Sequence, residues 1–146
     1  MSVVVTDQGF SANTWPENPV SLAVFDAGDE TLPAALDLPA DTAPETLAGR
    51  VDGLAFIRIL VSSFADGRGF TLARELRRLG FAGRLRICGP LIADQYAMAR
   101  RSGCDEVEIP EALAARQPEA DWLARADWQG GDYQSTLRAR SRASAH

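Results

Sequence analysis

Apolar positions along the 146 residues fall into two kinds of segment. Some are short solid runs bounded by glycine, proline or acids; others are longer stretches in which leucine and alanine recur every three or four positions. The clearest succession lies between Leu54 and Gln95. The run Ala55 to Val61 is apolar except for Arg58 and gives way to the turn Asp66-Gly67-Arg68-Gly69. A helix-period segment follows from Phe70 to Leu79. Leu72, Leu76 and Leu79 share one face, Arg74, Arg77 and Arg78 lie largely on the other, and Gly80 is the expected stop. A second run, Leu85 to Cys88, ends at Gly89-Pro90. Another helical pattern then extends to about Ser102, with Pro90 at its first position, Ile92, Tyr96 and Ala99 facing inward, and Gly103 as its stop. Strand, glycine turn, helix, strand is the grammar of a βαβ unit. The nearly unbroken apolar character of 55–61 predicts burial on both faces, as in a parallel sheet.

The flanks are weaker. Val3 to Val5, the turn-like Asp7-Gln8-Gly9 and Phe10 predict a small hairpin, and residues 11–19 a loop carrying Trp15. Val20 to Phe25 predicts a strand, and Asp26 to Asp41 an irregular acidic stretch. Thr42 to Arg50 predicts a short helix capped by Thr42, with Glu45 three residues on. Glu106 to Ile109 predicts a last strand, closed by Pro110. Helical pieces follow at 111–116 and 119–127, packed down by Trp122 and Trp128. The expected architecture is one α/β domain over residues 1–133: a hairpin at 1–12, a βα core at 18–110 and helical pieces at 111–128, then a disordered tail at 134–146. Its sheet is small, mostly parallel and flanked by helices, flavodoxin-like or Rossmann-like in order. A half-barrel-like βα repeat completed by forming a homodimer is the alternative, and the pattern leaves both open.

Charge changes this picture. The chain holds no lysine, and its net charge is −5. Residues 1–52 carry nine acids and one arginine, residues 53–101 three acids and nine arginines, and residues 102–146 eight acids and five arginines. A positive centre between acidic flanks suits an anionic ligand or an acidic partner face. A pI of about 4.8 argues against nucleic acid. No apolar run approaches the roughly 18 residues of a membrane span, and the N-terminus has no signal-peptide pattern, so a cytoplasmic protein is expected.

Residue types exclude much chemistry. The sole histidine is His146, so no histidine triad or histidine-based zinc site is available. Cys88 and Cys104 are too few for an ordinary iron–sulfur cluster, and buried structural thiols are expected; a redox role for Cys88, at a strand end near a helix start, is the alternative. No cofactor is evident. The positive signal is the turn 62–69. In parallel α/β folds ligands gather at the carboxyl ends of strands. Glycines let backbone N–H groups approach an anion, the next helix adds its positive end, and Arg68 offers a bidentate grip. Asp66 either caps the helix or orients Arg68. A tight turn fixed by an Asp66–Arg68 pair is the competing structural reading. Neither GxxxxGK[ST] nor GxGxxG is present.

The same stretch resembles a bacterial family, domain of unknown function 934, often labelled a probable oxidoreductase of sulfite reduction. Its first pattern, F-x-D-G-R-G-[YF]-[ST]-x-A-x-x-L-R, appears as Phe64, Asp66, Gly67, Arg68, Gly69, Phe70, Thr71, Ala73, Leu76 and Arg77. A second block matches Gly83, Leu85, Arg86 and Gly89 with Asp94-Gln95, and a third matches Arg101, Gly103 and Asp105. Pro90 stands where the family usually has an acid, and Val61-Ser62 where it has F-P. The resemblance implies a link to assimilatory sulfur metabolism, with the sulfite reductase haemoprotein or its electron donor as partner; the residues themselves specify no reaction. Two functions follow: a docking accessory of the reductase, or a small enzyme or binding module for an oxyanion or phosphate-bearing ligand. The candidate ligand-binding residues are Asp66, Gly67, Arg68, Gly69, Thr71, Arg86, Gly89, Asp94 and Gln95.

Overall fold

The structure is a computed structural model that describes residues 2–16, 19–22, 25, 35–63, 65–126 and 128. Seven strands form one sheet: β1 (Ser2–Thr6), β2 (Gly9–Ser11), β3 (Val20–Ser21), β4 (Leu36–Pro39), β5 (Phe56–Leu60), β6 (Arg84–Cys88) and β7 (Glu106–Pro110). Four α-helices are described: α1 (Arg68–Arg78), α2 (Tyr96–Arg101), α3 (Glu111–Arg116) and α4 (Glu119–Leu123). The sheet order is β2-β1-β7-β6-β5-β4-β3. Strands β3 to β7 are parallel, and the β1–β2 hairpin joins antiparallel against β7. This is a small, mostly parallel α/β domain, as the pattern predicts.

Strands β3 to β7 advance one place at a time in a single direction. The connections β5–β6 and β6–β7 carry α1 and α2, which pack into one core on the same side of the sheet. No reversal occurs among these strands, so there is no doubly wound switch point. The progression is that of the βα-repeat alternative.

Side-chain alternation divides the sheet accordingly. Ile57 and Ile59 of β5, Leu85 and Ile87 of β6, and Val107 and Ile109 of β7 are fully buried on the helix side. They meet Leu72, Ala73 and Leu76 of α1, Tyr96 and Ala99 of α2, and Trp122 of α4 in one core. The other face carries Asp37, Phe56, Arg58, Leu60, Arg84, Arg86, Cys88, Glu106 and Glu108. The expectation that β5 is buried on both faces is therefore corrected. Only alternate residues are buried, and Leu60 is 39% exposed.

Other boundaries move for physical reasons. The acidic stretch before Asp41 contains strand β4, because Leu36 and Leu38 alternate with Asp37, whose charge is matched by Arg58 on the next strand. Val20–Ser21 is strand only for two residues, and Leu22 is already helical. The predicted helix at 42–50 is a single 3-10 turn, Pro44–Leu47, without a side-chain cap. Thr42 and Thr46 donate instead to the Pro39 and Ala43 carbonyls, a local competition with helical bonding. Pro90 starts no helix. The chain passes through an extended Ile92 and a 3-10 turn, Ala93–Gln95, before α2 begins. The last helix stops at Leu123, short of the predicted 127. Gly80 and Gly103 end α1 and α2 with φ of +102° and +105°, values that suit glycine. No described helix is long and apolar enough to cross a membrane. The predicted tail at 134–146 and Phe64 lie outside the described residues.

Candidate functional site

At the carboxyl end of β5 the turn 66–69 is built as an internal clasp. Asp66 accepts two hydrogen bonds from the Arg68 guanidinium, Nε to Oδ1 at 2.9 Å and Nη2 to Oδ2 at 3.0 Å, and a third from the Arg68 backbone N–H at 3.1 Å. These bonds hold the Asp66 carboxyl below its usual pKa. Asp66 thus orients Arg68 and accepts from its backbone N–H, while Gly67 holds the N-cap position and α1 has no side-chain cap. The Arg68 side chain remains 66% exposed. It lies on the wall of two open clefts, of about 310 and 270 Å³, which share Ala40, Asp41 and Arg68. Thr71 and Leu72 border the first; Leu60, Ser62 and Asp66 border the second. Asp41 and Glu45 also line this region, so Arg68 faces more acid than base.

The two glycines of the turn differ. Gly67 has φ of −75°, and a Cβ there would touch nothing within 4 Å. Gly69 is buried, and a Cβ would come within 2.7 Å of Val61 Cγ1 and 2.9 Å of Ile87 Cδ1. Its role is to seat α1 on the sheet. Gly89 likewise lets β6 pass the Val61 backbone, whose carbonyl would lie 2.3 Å from a Cβ. Asp94 pairs with Arg125 at 2.5 Å, and Gln95 accepts from the Ile92 N–H, so these two fix the loop before α2. They and Arg86 are not brought to the Arg68 clefts. Arg68 and Thr71 alone of the candidates line the first cleft, and Asp66 and Arg68 the second.

The larger polar assembly occupies the charged sheet face. Register places Arg58 of β5 directly beside Arg86 of β6, a like-charge pair that would be unfavourable alone. Glu108 resolves it by accepting from both: Arg58 Nη1 at 3.2 Å and Arg86 Nη1 at 2.8 Å. Asp37 takes the far side of Arg58 with bonds of 3.0 and 2.7 Å. Glu106 takes the other side of Arg86 at 2.8 Å and is also gripped by both Nε and Nη2 of Arg84. Three guanidinium groups and three carboxylates alternate across four strands. Arg86 is fully buried, and Glu106 and Glu108 nearly so. Residues 13–15 strap this face. Asn13 Oδ1 and the Thr14 carbonyl accept from Arg86, and Trp15 lies over its guanidinium at 4.2 Å.

The charges here set the thiol chemistry. Cys88 donates to Glu108 at 3.4 Å, and its thiol is pushed up to about 12, first by burial and then by the Glu108 charge. Cys104 is buried and also pushed up to about 12. Burial and the Glu108 charge thus disfavour the thiolate form of Cys88, which itself is half-buried. Burial would raise Glu108, but the Arg86 bond, the Arg58 charge and donation from Cys88 and Ser2 prevail and lower it. Among the described residues no group of three or more His, Cys, Asp or Glu side chains is placed to hold a metal ion.

The charge blocks of the sequence are explained by this pairing. Arg58, Arg77, Arg84, Arg86 and Arg100 from the basic middle meet Asp37, Asp105, Glu106, Glu108 and Asp7, all from the flanks. The face is not legible in the linear chain because its acids and arginines lie on different strands. The alternation Arg84-Leu85-Arg86 opposite Glu106-Val107-Glu108 is the signal that could have found it.

A family model described as "Bacterial protein of unknown function (DUF934)" matches residues 35–143, more than half of the chain. The chain belongs to this family. The matched region holds the Asp66–Arg68 clasp and every charged member of the sheet-face ladder. The strap at 13–16 precedes it. No curated protein and no solved structure matches the chain significantly.

Proposed function

We propose that this protein is an accessory of assimilatory sulfite reduction that acts by docking to the sulfite reductase system, either the haemoprotein or its electron donor. The family resemblance supplies the metabolic context. The observation that carries docking is the place of the arginines on α1 that make no long-range ion pair among the described residues. Arg68, Arg74 and Arg78 lie on the outward stripe of α1. Arg68 and Arg78 side chains are 66% and 70% exposed, their pairs with Asp66 and Glu75 are local, and Arg74 is exposed as well. Such a stripe suits an acidic partner surface. The test is co-purification of the purified chain with the reductase complex at low salt, where charge pairing is strongest. Wild type is expected to be retained and to elute as salt rises, and Arg74→Glu/Arg78→Glu to be lost. Failure of wild type to be retained at low salt overturns the reading.

A second reading rests on the two clefts that meet at Arg68 beside the strand ends. There the protein would hold an oxyanion or phosphate-bearing ligand. A thermal-shift panel of sulfite, sulfate, phosphate, adenosine phosphosulfates, NADPH and flavins tests it. Saturation at 100 times the dissociation constant stabilises by about 2.7 kcal/mol. That gain is expected to vanish in Arg68→Ala. Equal stabilisation of the variant removes Arg68 from the site.

A further inference from the structure

The strap over the sheet face has an unusual relation to Arg86. This side chain is fully buried, and its donors divide into three sets. Two go to carboxylates: Nη1 to Glu108 and Nη2 to Glu106, both at 2.8 Å. Two go to neutral oxygens of the strap: Nη1 to Asn13 Oδ1 at 2.7 Å and Nη2 to the Thr14 carbonyl at 3.2 Å. The last, Nε, is buried and donates to nothing among the described residues. The indole Nε1 of Trp15, whose ring covers the same guanidinium, is also buried without an acceptor among the described residues. Two unsatisfied donors at one place are a standing cost of the closed strap.

We propose that Asn13 and Thr14 form a pseudo-ligand lid, and that Arg86 with Trp15, which stays seated edge-on to Phe56 at 5.1 Å, forms a site for a small oxyanion. Asn13 Oδ1 and the Thr14 carbonyl sit on the two terminal nitrogens of Arg86 as two oxygens of a bidentate oxyanion sit on a guanidinium. An anion of sulfate or phosphate size replaces those neutral acceptors with charged ones, which make the stronger bonds. A further oxygen of the anion answers the indole N–H of Trp15, whose ring covers the same guanidinium. The lid is suited to leave. Asn13 is exposed, and beyond its bond to Arg86 it is tied among the described residues by one side-chain bond, from Nδ2 to Ser2 Oγ. An open cleft of about 330 Å³ bounded by Thr14, Trp15, Pro16, Phe56 and Arg84 adjoins it. The Arg84 side chain, 38% exposed, stands at that entrance.

The test is nuclear magnetic resonance of the full chain, reading the Arg86 Nε–H and Trp15 Nε1–H signals, with Trp15→Phe assigning the second by its disappearance. Sodium sulfate, phosphate and sulfite are titrated against sodium chloride at matched ionic strength. Both signals are expected to shift with saturation for the oxyanions and to stay in place for chloride. Asn13→Ala, which removes one hydrogen bond from the closed strap, is expected to bind about fivefold tighter. Trp15→Phe keeps the stacking ring, loses the donor and is expected to bind more weakly, read at Arg86. The proposal is overturned by no oxyanion shift in wild type and Asn13→Ala up to the solubility limit, by an equal shift with chloride, or by shifts confined to Arg68 and its neighbours. That last result would place the anion at the turn 66–69 instead.

Discussion

Arg68 and Arg86 show what the two polar regions of this molecule are for. Each arginine is gripped by carboxylate. Arg68 meets an acid two residues away, on an exposed turn, and the pair closes a short loop. Arg86 meets acids twenty and twenty-two residues away on the neighbouring strand, in a buried row that links four strands. The first pair is local and solvated, so it fixes a turn and leaves its cation facing water. The second is long-range and desolvated, so it fixes strand register, because a slip by one residue would turn every charge toward the helices. The loop that looks like a binding site from its residues is partly closed on itself. The strand that looks like ordinary sheet carries the molecule's most demanding electrostatics.

The sharpest way to break this contrast is to remove Arg86. Arg86→Ala leaves Glu106 and Glu108 buried with fewer partners, a change of the kind that costs about 3–5 kcal/mol. At roughly 2–4 °C of Tm per kcal/mol for a chain this size, the loss is unmistakable in a thermal or urea melt. A Tm within a few degrees of wild type would mean that water reaches the face and that the register argument is wrong. Arg68→Ala is expected to change the Tm little, since the Arg68 side chain is largely exposed and its pair with Asp66 spans only two residues.

The order of elements was readable where apolar periodicity and punctuation agreed. Phe56–Leu60, Arg68–Arg78 and Arg84–Cys88 fall within two residues of expectation because glycine stops and short apolar runs bound them. Strand β4 was hidden because Asp37 and Pro39 look like loop residues until Arg58 is placed beside them. The charged face was hidden for the same reason: its partners are separated by 20 to 50 residues, and only register brings them together. The Asp66–Arg68 pair was foreseen, since both partners lie in one turn. The clefts beside Arg68 could not be foreseen, because residues 40–45 reach them from β4.

The glycines of the turn give a smaller and cleaner separation of structure from ligand. Gly69→Ala forces a methyl into Val61 and Ile87 and is expected to cost about 1–3 kcal/mol through overpacking. Gly67→Ala meets open space at a helical φ and is expected to be neutral or to stabilise by about 0.4–1 kcal/mol. Equilibrium urea melts of the two variants decide it. If both destabilise equally, the turn is under a backbone constraint that the space around Gly67 does not reveal. If Gly67→Ala keeps its stability and loses an oxyanion response seen in wild type, the ligand occupies the open space beside Gly67 that the added methyl fills.

The gentlest probe is acid. Glu108 titrates below the ordinary value of 4.5 despite burial, because Arg86 and Arg58 favour its charged form. A carboxylate depressed in the folded state binds its proton more readily when unfolded. The stability it adds is therefore present above about pH 4.5 and lost as pH falls through the lower folded value. Asp7 follows the same direction: bonds from Tyr96, Arg100 and Trp128 outweigh its desolvation. Stability measured by urea melts between pH 6 and 3 should thus fall, and the slope should be shallower in Glu108→Gln, which has no proton to take up there. An unchanged slope would assign the acid limb to the other carboxylates and leave Glu108 as a hydrogen-bond acceptor whose charge adds nothing. A slope that flattens in Glu108→Gln but not in Asp66→Asn would place the electrostatic weight on the ladder and not on the turn.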